Sequence, residues 1–239
     1  MDIKIMAAGD SALVVEFGNK IDEQINAYVH ALAEKIEQQH MDGVIEVVPT
    51  FRSVLIYYDM YSFSYQEMEK KMIRVAQELQ EDGKMVKKII KIPCCYGARF
   101  GQDLADMEKI TGLSRDEIIE IHSSVDYKIY MLGFLPGFVY LGGMDKRIEA
   151  PRLKEPRVKI NKGAIGIGGS QTGIYPMDSP GGWRLIGATP VELYNPDRKE
   201  PILLKAGEYI RFVPISLTDY YDIIWKIKRN TFKLDVTEE

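Results

Sequence analysis

Arg152 and Arg157 each follow a proline, Pro151 and Pro156, inside the densest run of positive charge in the chain. From Lys146 to Lys162 seven cations (Lys146, Arg147, Arg152, Lys154, Arg157, Lys159 and Lys162) stand against Glu149 and Glu155, a local charge of +5. A guanidinium is a planar fork that matches a carboxylate or phosphate through paired hydrogen bonds. A proline beside it fixes the backbone that carries it. The run therefore reads as a grip for a small anion or, alternatively, as a solvated hairpin.

Just upstream lies Leu132-Gly133-Phe134-Leu135-Pro136-Gly137-Phe138-Val139-Tyr140-Leu141-Gly142-Gly143. Glycine and proline force sharp turns here, and the aromatics supply flat apolar surface. This is either a pocket wall that a ligand approaches closely or a core strand with a tight turn. Downstream, Gly166-Ile167-Gly168-Gly169-Ser170-Gln171-Thr172-Gly173 and Ser179-Pro180-Gly181-Gly182-Trp183 can present backbone amides to an anion. Neither matches a phosphate-binding or dinucleotide-binding glycine signature, and β-turns are the commoner explanation. His122 is the only histidine close to this region and can serve as an acid or base near neutral pH. His30 and His40 are scattered, with no metal-ligand spacing. The adjacent Cys94 and Cys95 read as free thiols without a partnered base.

These residues need a scaffold. Of 20 glycines, 12 fall in the 55 residues from Gly133 to Gly187, and ten of the eleven prolines lie at or beyond Pro93. Before Pro93 the texture differs. A β-rich run over 12–17 precedes a helical stripe over 21–40 (Ile21, Ile25, Val29, Leu32, Ile36). Runs over 44–51 and 53–59 follow, then a second stripe from Tyr65 to Leu79 ended by Asp82-Gly83, then a strand over 86–93. The order is βαββαβ, the split ferredoxin-like arrangement. Beyond it, three short helices are expected at 103–111, 114–122 (with the capping box Ser114-x-x-Glu117) and 216–229. Short strands lie between them at 126–132, 157–160, 164–168, 171–175, 183–187, 191–194, 202–204 and 208–213. Short strands with turns at this density predict a closed β-barrel. The fold class is α+β: a small N-terminal domain over 1–88 and a barrel domain over 89–239.

The 239 residues are 46% hydrophobic and 28% charged with a net charge of −4, which excludes disordered, collagenous and polyanion-binding classes. The N-terminus has no basic-then-apolar pattern of a secretory signal. The longest uncharged apolar stretch, 129–144, is shorter than the ~20 residues of a spanning helix. A cytoplasmic protein is expected.

Several blocks recur in a known order: Gly9-Asp10-Ser11-Ala12-Leu13; Val48-Pro49-Thr50-Phe51-Arg52-Ser53; Tyr96-Gly97 with Asp103-Leu104; Gly133-Phe134-x-Pro136-Gly137-Phe138; and Pro180-Gly181-Gly182-Trp183. In this order they resemble the B-type component of the three-component prokaryotic 5-oxoprolinase. That family includes the sporulation kinase A inhibitor KipI and is related to the carboxyltransferase part of urea carboxylase, once called allophanate hydrolase subunit 1. The resemblance implies a cyclophilin-like barrel and a homologous partner, the C-type component. With ATP (and Mg) the pair would phosphorylate 5-oxoproline, and the A-type component would complete hydrolysis to glutamate. It also implies a site made of Phe134, Pro136, Gly137, Tyr140, Arg152, Arg157, Gln171, Gly181, Gly182 and Trp183; His122 is added to these from its position as a candidate acid or base, so that Arg157 and His122 are the catalytic candidates. Two further readings remain open: a binding module that inhibits a sensor histidine kinase, and, by fold analogy alone, a prolyl isomerase.

Overall fold

The computed structural model describes residues 3–20, 22–79, 87–97 and 99–238. Two compact units divide the chain, residues 1–86 and 87–239.

The first unit runs β1 (Lys4–Ala7), β2 (Ala12–Glu16), α1 (Glu23–Gln38), β3 (Val44–Pro49), β4 (Ser53–Tyr58) and α2 (Tyr65–Glu78). Its strands form one antiparallel sheet in the order β1-β2-β4-β3. Register pairs Leu13 with Ile56 and Val15 with Val54. Alternation puts all four on one face, where they pack with Val29, Leu32 and Ile36 of α1 and Met68 and Met72 of α2. Both helices start on a side chain that satisfies free amides: Asp22 accepts from the Gln24 and Ile25 N–H groups, and Ser64 forms a capping box with Glu67.

This order, ββαββα, replaces the expected βαββαβ. The short strand β1 was not anticipated, and the sixth expected element belongs elsewhere. It is β5 (Lys88–Tyr96), which pairs with strands of the second unit. Ile89, Ile90, Ile92, Pro93, Cys94 and Cys95 are all buried, a near-continuous run that marks a strand covered on both faces. The lysines that made it look half-exposed reach acids of its own unit, Lys88 to Glu208 and Lys91 to Asp235, each at 2.6 Å. Ile21, the Asp82-Gly83 stop and Val86 lie outside the described residues.

The second unit continues with α3 (Leu104–Thr111), α4 (Arg115–Ser123), β6 (Asp126–Leu132), β7 (Val139–Gly142), a single 3-10 turn at Lys146–Ile148, β8 (Arg157–Ile160), β9 (Ala164–Gly168) and β10 (Gln171–Ile174). It ends with β11 (Ser179–Gly181), β12 (Arg184–Ala188), β13 (Tyr209–Pro214), α5 (Leu217–Lys228) and β14 (Asp235–Glu238). Seven strands close into a barrel in the order β12-β9-β10-β7-β6-β13-β5, with β5 returning to β12. β13 runs parallel to β5 and the other ring pairings are antiparallel. β8 and β11 form a separate ribbon, while β14 pairs with the first half of β5. Ile92, Ile129, Ile167, Ile174 and Ile186 are fully buried in its core. The expected strands at 191–194 and 202–204 reduce to one bridge, Tyr194 to Ile202, because Pro190, Pro196 and Pro201 cannot donate to a ladder.

Closure rests on two pairs, Gly187 with Tyr96 and Ala188 with Cys95. A Cβ at Gly187 would stand 2.9 Å from both the Cys94 sulfur and the Cys95 carbonyl oxygen. Gly187→Ala is therefore expected to destabilise the barrel by ~1–3 kcal/mol through overpacking. A urea-unfolding midpoint equal to that of the parent would show that the seam relaxes freely.

Candidate functional site

The β6–β7 connection is the turn in which the aromatic block begins. The Gly133 N–H donates to the Phe138 carbonyl at 3.2 Å, and the Phe138 N–H donates to the Leu135 carbonyl at 3.0 Å. Phe134 takes φ +67 and Gly137 φ +78. For a bulky residue the left-handed region costs ~1–2 kcal/mol, yet Phe134 is 63% exposed and gains little burial in return. Backbone strain that packing does not offset is a mark of function.

The Phe134 ring meets Phe138 edge-on at 5.5 Å. Phe138 in turn contacts Tyr140, Tyr175 and Trp183 at 5.3–5.6 Å, all edge-to-face, the arrangement that ring quadrupoles favour. Trp183 lies against backbone stripped of side chains. A Cβ at Gly168 would fall on the indole, and one at Gly173 would stand 2.9 Å from it. The glycine-rich segment 166–173 is thus the β9–β10 hairpin, with Gly168 paired to Gln171, and it seats an indole. Gln171 shares the Gly173 face of β10. Gly181 is held against Tyr175, since a Cβ there would stand 2.5 Å from the hydroxyl oxygen. Burial pushes the Tyr175 hydroxyl up, against the opposing effects of the Trp183 N–H it accepts from and the nearby Arg152 and Arg157 charges.

The two proline-flanked arginines part company. The Arg152 side chain is exposed, with its guanidinium carbon 5.8 Å from the Trp183 ring. Its backbone is fixed on both sides: the Pro151 carbonyl accepts from Arg184 Nε at 3.2 Å, and the Leu153 N–H donates to the Gly182 carbonyl at 2.7 Å. Arg157 instead donates to Asp103 Oδ1 at 2.6 Å and to the Trp183 carbonyl at 3.3 Å. The other Asp103 oxygen accepts from the Leu185 N–H at 2.6 Å. Arg157 is therefore a brace for a buried carboxylate and not the open anion grip expected of it, whereas Arg152, of which the same was expected, forms no ion pair among the described residues. The rest of the basic run is largely neutralised: Arg147 pairs with Asp145, Lys159 with Asp178 and Lys162 with Glu192. Among the described residues Lys146, Arg152 and Lys154 form no ion pair.

His122 is the second correction. It is fully buried, packed on Tyr127 and Phe212. Its Nδ1 lies 2.7 Å from the Tyr96 hydroxyl and its Nε2 2.8 Å from Thr172 Oγ1. The Thr172 hydroxyl donates to the Gly166 carbonyl at 3.1 Å, so it accepts from His122, which carries its proton on Nε2 and accepts from Tyr96. Burial lowers this imidazole to about 3. It is a neutral, fully buried core histidine whose two ring nitrogens are both engaged by protein side chains, which is the arrangement of a structural residue and not the acid or base expected of it.

The structure thus groups Phe134, Tyr140 and Trp183 around Phe138, with Arg152 beside Trp183 and Gly181 against Tyr175, while Gly137 lies against Leu193 and Tyr194 and Gly182 accepts from the Leu153 N–H. Pro136 is an exposed corner of the turn. Asp103 and Arg184 were missed as site residues. Asp103 opens the helix expected over 103–111; the structure makes it the N-cap residue of α3, yet its side chain makes no cap hydrogen bond.

Residues 3–204 match the carboxyltransferase domain, subdomain C and D. The fold agrees. The K. lactis urea amidolyase superposes with a TM-score of 0.79 at 23% identity, covering 99% of this chain and 16% of that one. A conserved uncharacterized protein from Pyrococcus horikoshii is 45% identical with a TM-score of 0.54, covering 91% of this chain and 100% of that one. Within this class the chain is 45% identical over 228 residues to the B-type component of 5-oxoprolinase from Bacillus subtilis (strain 168), covering 91% of this chain and 95% of that protein. It is 38% identical over 207 residues to the B-type component of 5-oxoprolinase from Escherichia coli O157:H7, covering 86% and 93%. The chain belongs to the family of 5-oxoprolinase B-type components, which are carboxyltransferase-type domains.

Two expectations follow from this geometry. Arg157→Ala strands a buried carboxylate, so it should cost ~2–3 kcal/mol of stability in a urea titration, discounted for the partial exposure of the arginine; an unchanged midpoint would return Arg157 to the list of free anion binders. The second concerns pH. His122 is lowered on folding, so the unfolded chain binds its proton first, and the stability that the neutral ring contributes is present above pH ~6.5. It is lost as pH falls from there toward about 3. His122→Phe should flatten the fall in urea midpoint between pH 7 and 5, and parallel profiles would refute the assignment.

Proposed function

We propose that the chain is one component of an ATP-dependent 5-oxoprolinase, a lactam-opening hydrolase, and is inactive without its partner components. The carrying observation is Arg152, a guanidinium without an ion-pair partner beside Trp183 at 5.8 Å and fixed by backbone hydrogen bonds on either side. 5-Oxoproline is a flat five-membered lactam bearing one carboxylate. In this reading Arg152 takes the carboxylate through a charge-assisted hydrogen bond, and the exposed Phe134 with Tyr140 covers the ring. ATP supplies the phosphoryl group that activates the lactam carbonyl, with ADP as the leaving group. A homologous C-type component completes the nucleotide site, and the A-type component supplies the hydrolytic step to glutamate.

The residues present divide this labour. The glycines of β9 and β10 are committed to the indole, so this chain offers no glycine cradle there for a triphosphate, whereas Arg152 suits either a carboxylate or a phosphoryl oxygen. Among the described residues no group of three or more His, Cys, Asp or Glu side chains is placed to hold a metal ion. Magnesium in this reading arrives with the nucleotide. No helix among the described residues is long and apolar enough to cross a membrane.

Mixed with the homologous C-type and A-type components, the chain should release ADP in a 5-oxoproline-dependent manner, and alone it should not. Arg152→Ala should lower kcat/KM for 5-oxoproline by ~10–100-fold, the magnitude of a hydrogen bond to a charged group, with its urea midpoint unchanged. Absence of turnover with all three components present sinks the assignment. Turnover that is indifferent to Arg152 keeps the assignment and moves the anion site.

A further inference from the structure

A groove of ≈ 710 Å³ opens in the second unit along α5, and none of the residues grouped around Phe138 lines it. On α5 the residues Tyr220, Ile224 and Ile227 share one stripe. Tyr220 packs onto Cys95 and Ala188, as a core-facing helix residue should. Ile224 and Ile227, one and two turns on, stay half-buried and border the groove. Val191, Leu203 and Phe232 face the same space. The volume falls in the ~300–1,000 Å³ range of small-molecule sites.

The polar groups give the occupant its charge. Four charged residues line the groove: Lys162, Glu192, Arg198 and Lys228. Glu192 is committed, with one oxygen 2.9 Å from Lys162 and the other accepting from Asn195 at 2.8 Å. Arg198 is held in place by carbonyls, its Nη2 donating to Glu192 at 2.9 Å and Pro201 at 3.3 Å. It forms no ion pair among the described residues, and its Nε is buried without a hydrogen-bond partner. Lys228, exposed on the last turn of α5, forms none either. An apolar groove with two cations outside any ion pair and one neutralised acid is complementary to a single anionic head on an apolar body.

We propose that this groove binds an amphiphilic monocarboxylate, with its aliphatic body against Ile224, Ile227, Val191 and Leu203 and its carboxylate between Arg198 and Lys228. The site is independent of the lactam reading, since compact, polar 5-oxoproline has no apolar body for it. The test is isothermal titration calorimetry of the full chain with octanoate and, as the uncharged equivalent, octan-1-ol. Octanoate should bind at one per chain and octan-1-ol at least about tenfold more weakly. Arg198→Met should weaken octanoate by about tenfold and Lys228→Gln by about threefold, and Ile224→Trp should abolish binding by filling the groove. If Arg198→Met fails to fold, the exposed Lys228→Gln and Ile224→Trp carry the test. Equal binding of octanoate and octan-1-ol, octanoate affinity untouched by Lys228→Gln and Ile224→Trp, or no heat with octanoate overturns the proposal.

Discussion

The indole of Trp183 needs a wall with no side chains in it, and much of the second unit follows from that requirement. Gly168 and Gly173 on the β9–β10 hairpin clear the space, since a Cβ at either would collide with the ring. Trp183 then gives Phe138 an edge-to-face partner, and Phe138 carries Phe134 and Tyr140 on the β6–β7 turn. The residue after Trp183, Arg184, hydrogen-bonds the Pro151 carbonyl and pairs with Asp106. One aromatic side chain therefore links the β9–β10 hairpin and the β6–β7 turn to the arginine that forms no ion pair among the described residues. Glycine density here follows from close packing of sheet and indole.

A second constraint works beneath it. Asp103 is buried and accepts from both the Leu185 N–H and Arg157. A buried carboxylate is tolerable only when charge and hydrogen bonds compensate it. Arg157 supplies that compensation from β8 and also binds the Trp183 carbonyl, so the β8–β11 ribbon is tied to β12 at the position where the indole sits. Such a braced surface can sustain the strain at Phe134.

Period and punctuation carried most of the fold. The capping box at Ser114, the helix over 216–229 and the strands over 126–132, 157–160 and 164–168 were readable because each is a local pattern. β5 was readable as a strand but not as to its sheet, because its partners β13, β12 and β14 come late in the chain and its lysines imitate a half-exposed edge. β7 and β11 were not anticipated: β7 lies inside the glycine-, proline- and aromatic-rich block 132–143, which reads as a turn, and β11 is only three residues long. The site was legible in composition and not in role. Arg152 and Arg157 have the same neighbour, the same side chain and the same local charge. What separates them is one carboxylate 54 residues upstream of Arg157, and a sequence places Asp103 only as a helix start.

That separation bears on the charge run itself. A stretch of +5 in a chain of net −4 suggests a strong local field, but Asp103, Asp145, Asp178 and Glu192 return to four of its seven cations. Field strength is then a poor ground for expecting an anion at this surface, because paired charges offer little beyond their own partner. What remains is positional: one guanidinium without an ion-pair partner, held against an aromatic face, with the backbone on either side fixed by a neighbouring arginine and a glycine carbonyl. Recognition built this way depends on preorganisation, which costs little entropy on binding. It also ties the Arg152 guanidinium to the packing of Trp183, so the indole that dictates the glycines sets the position of the charge as well.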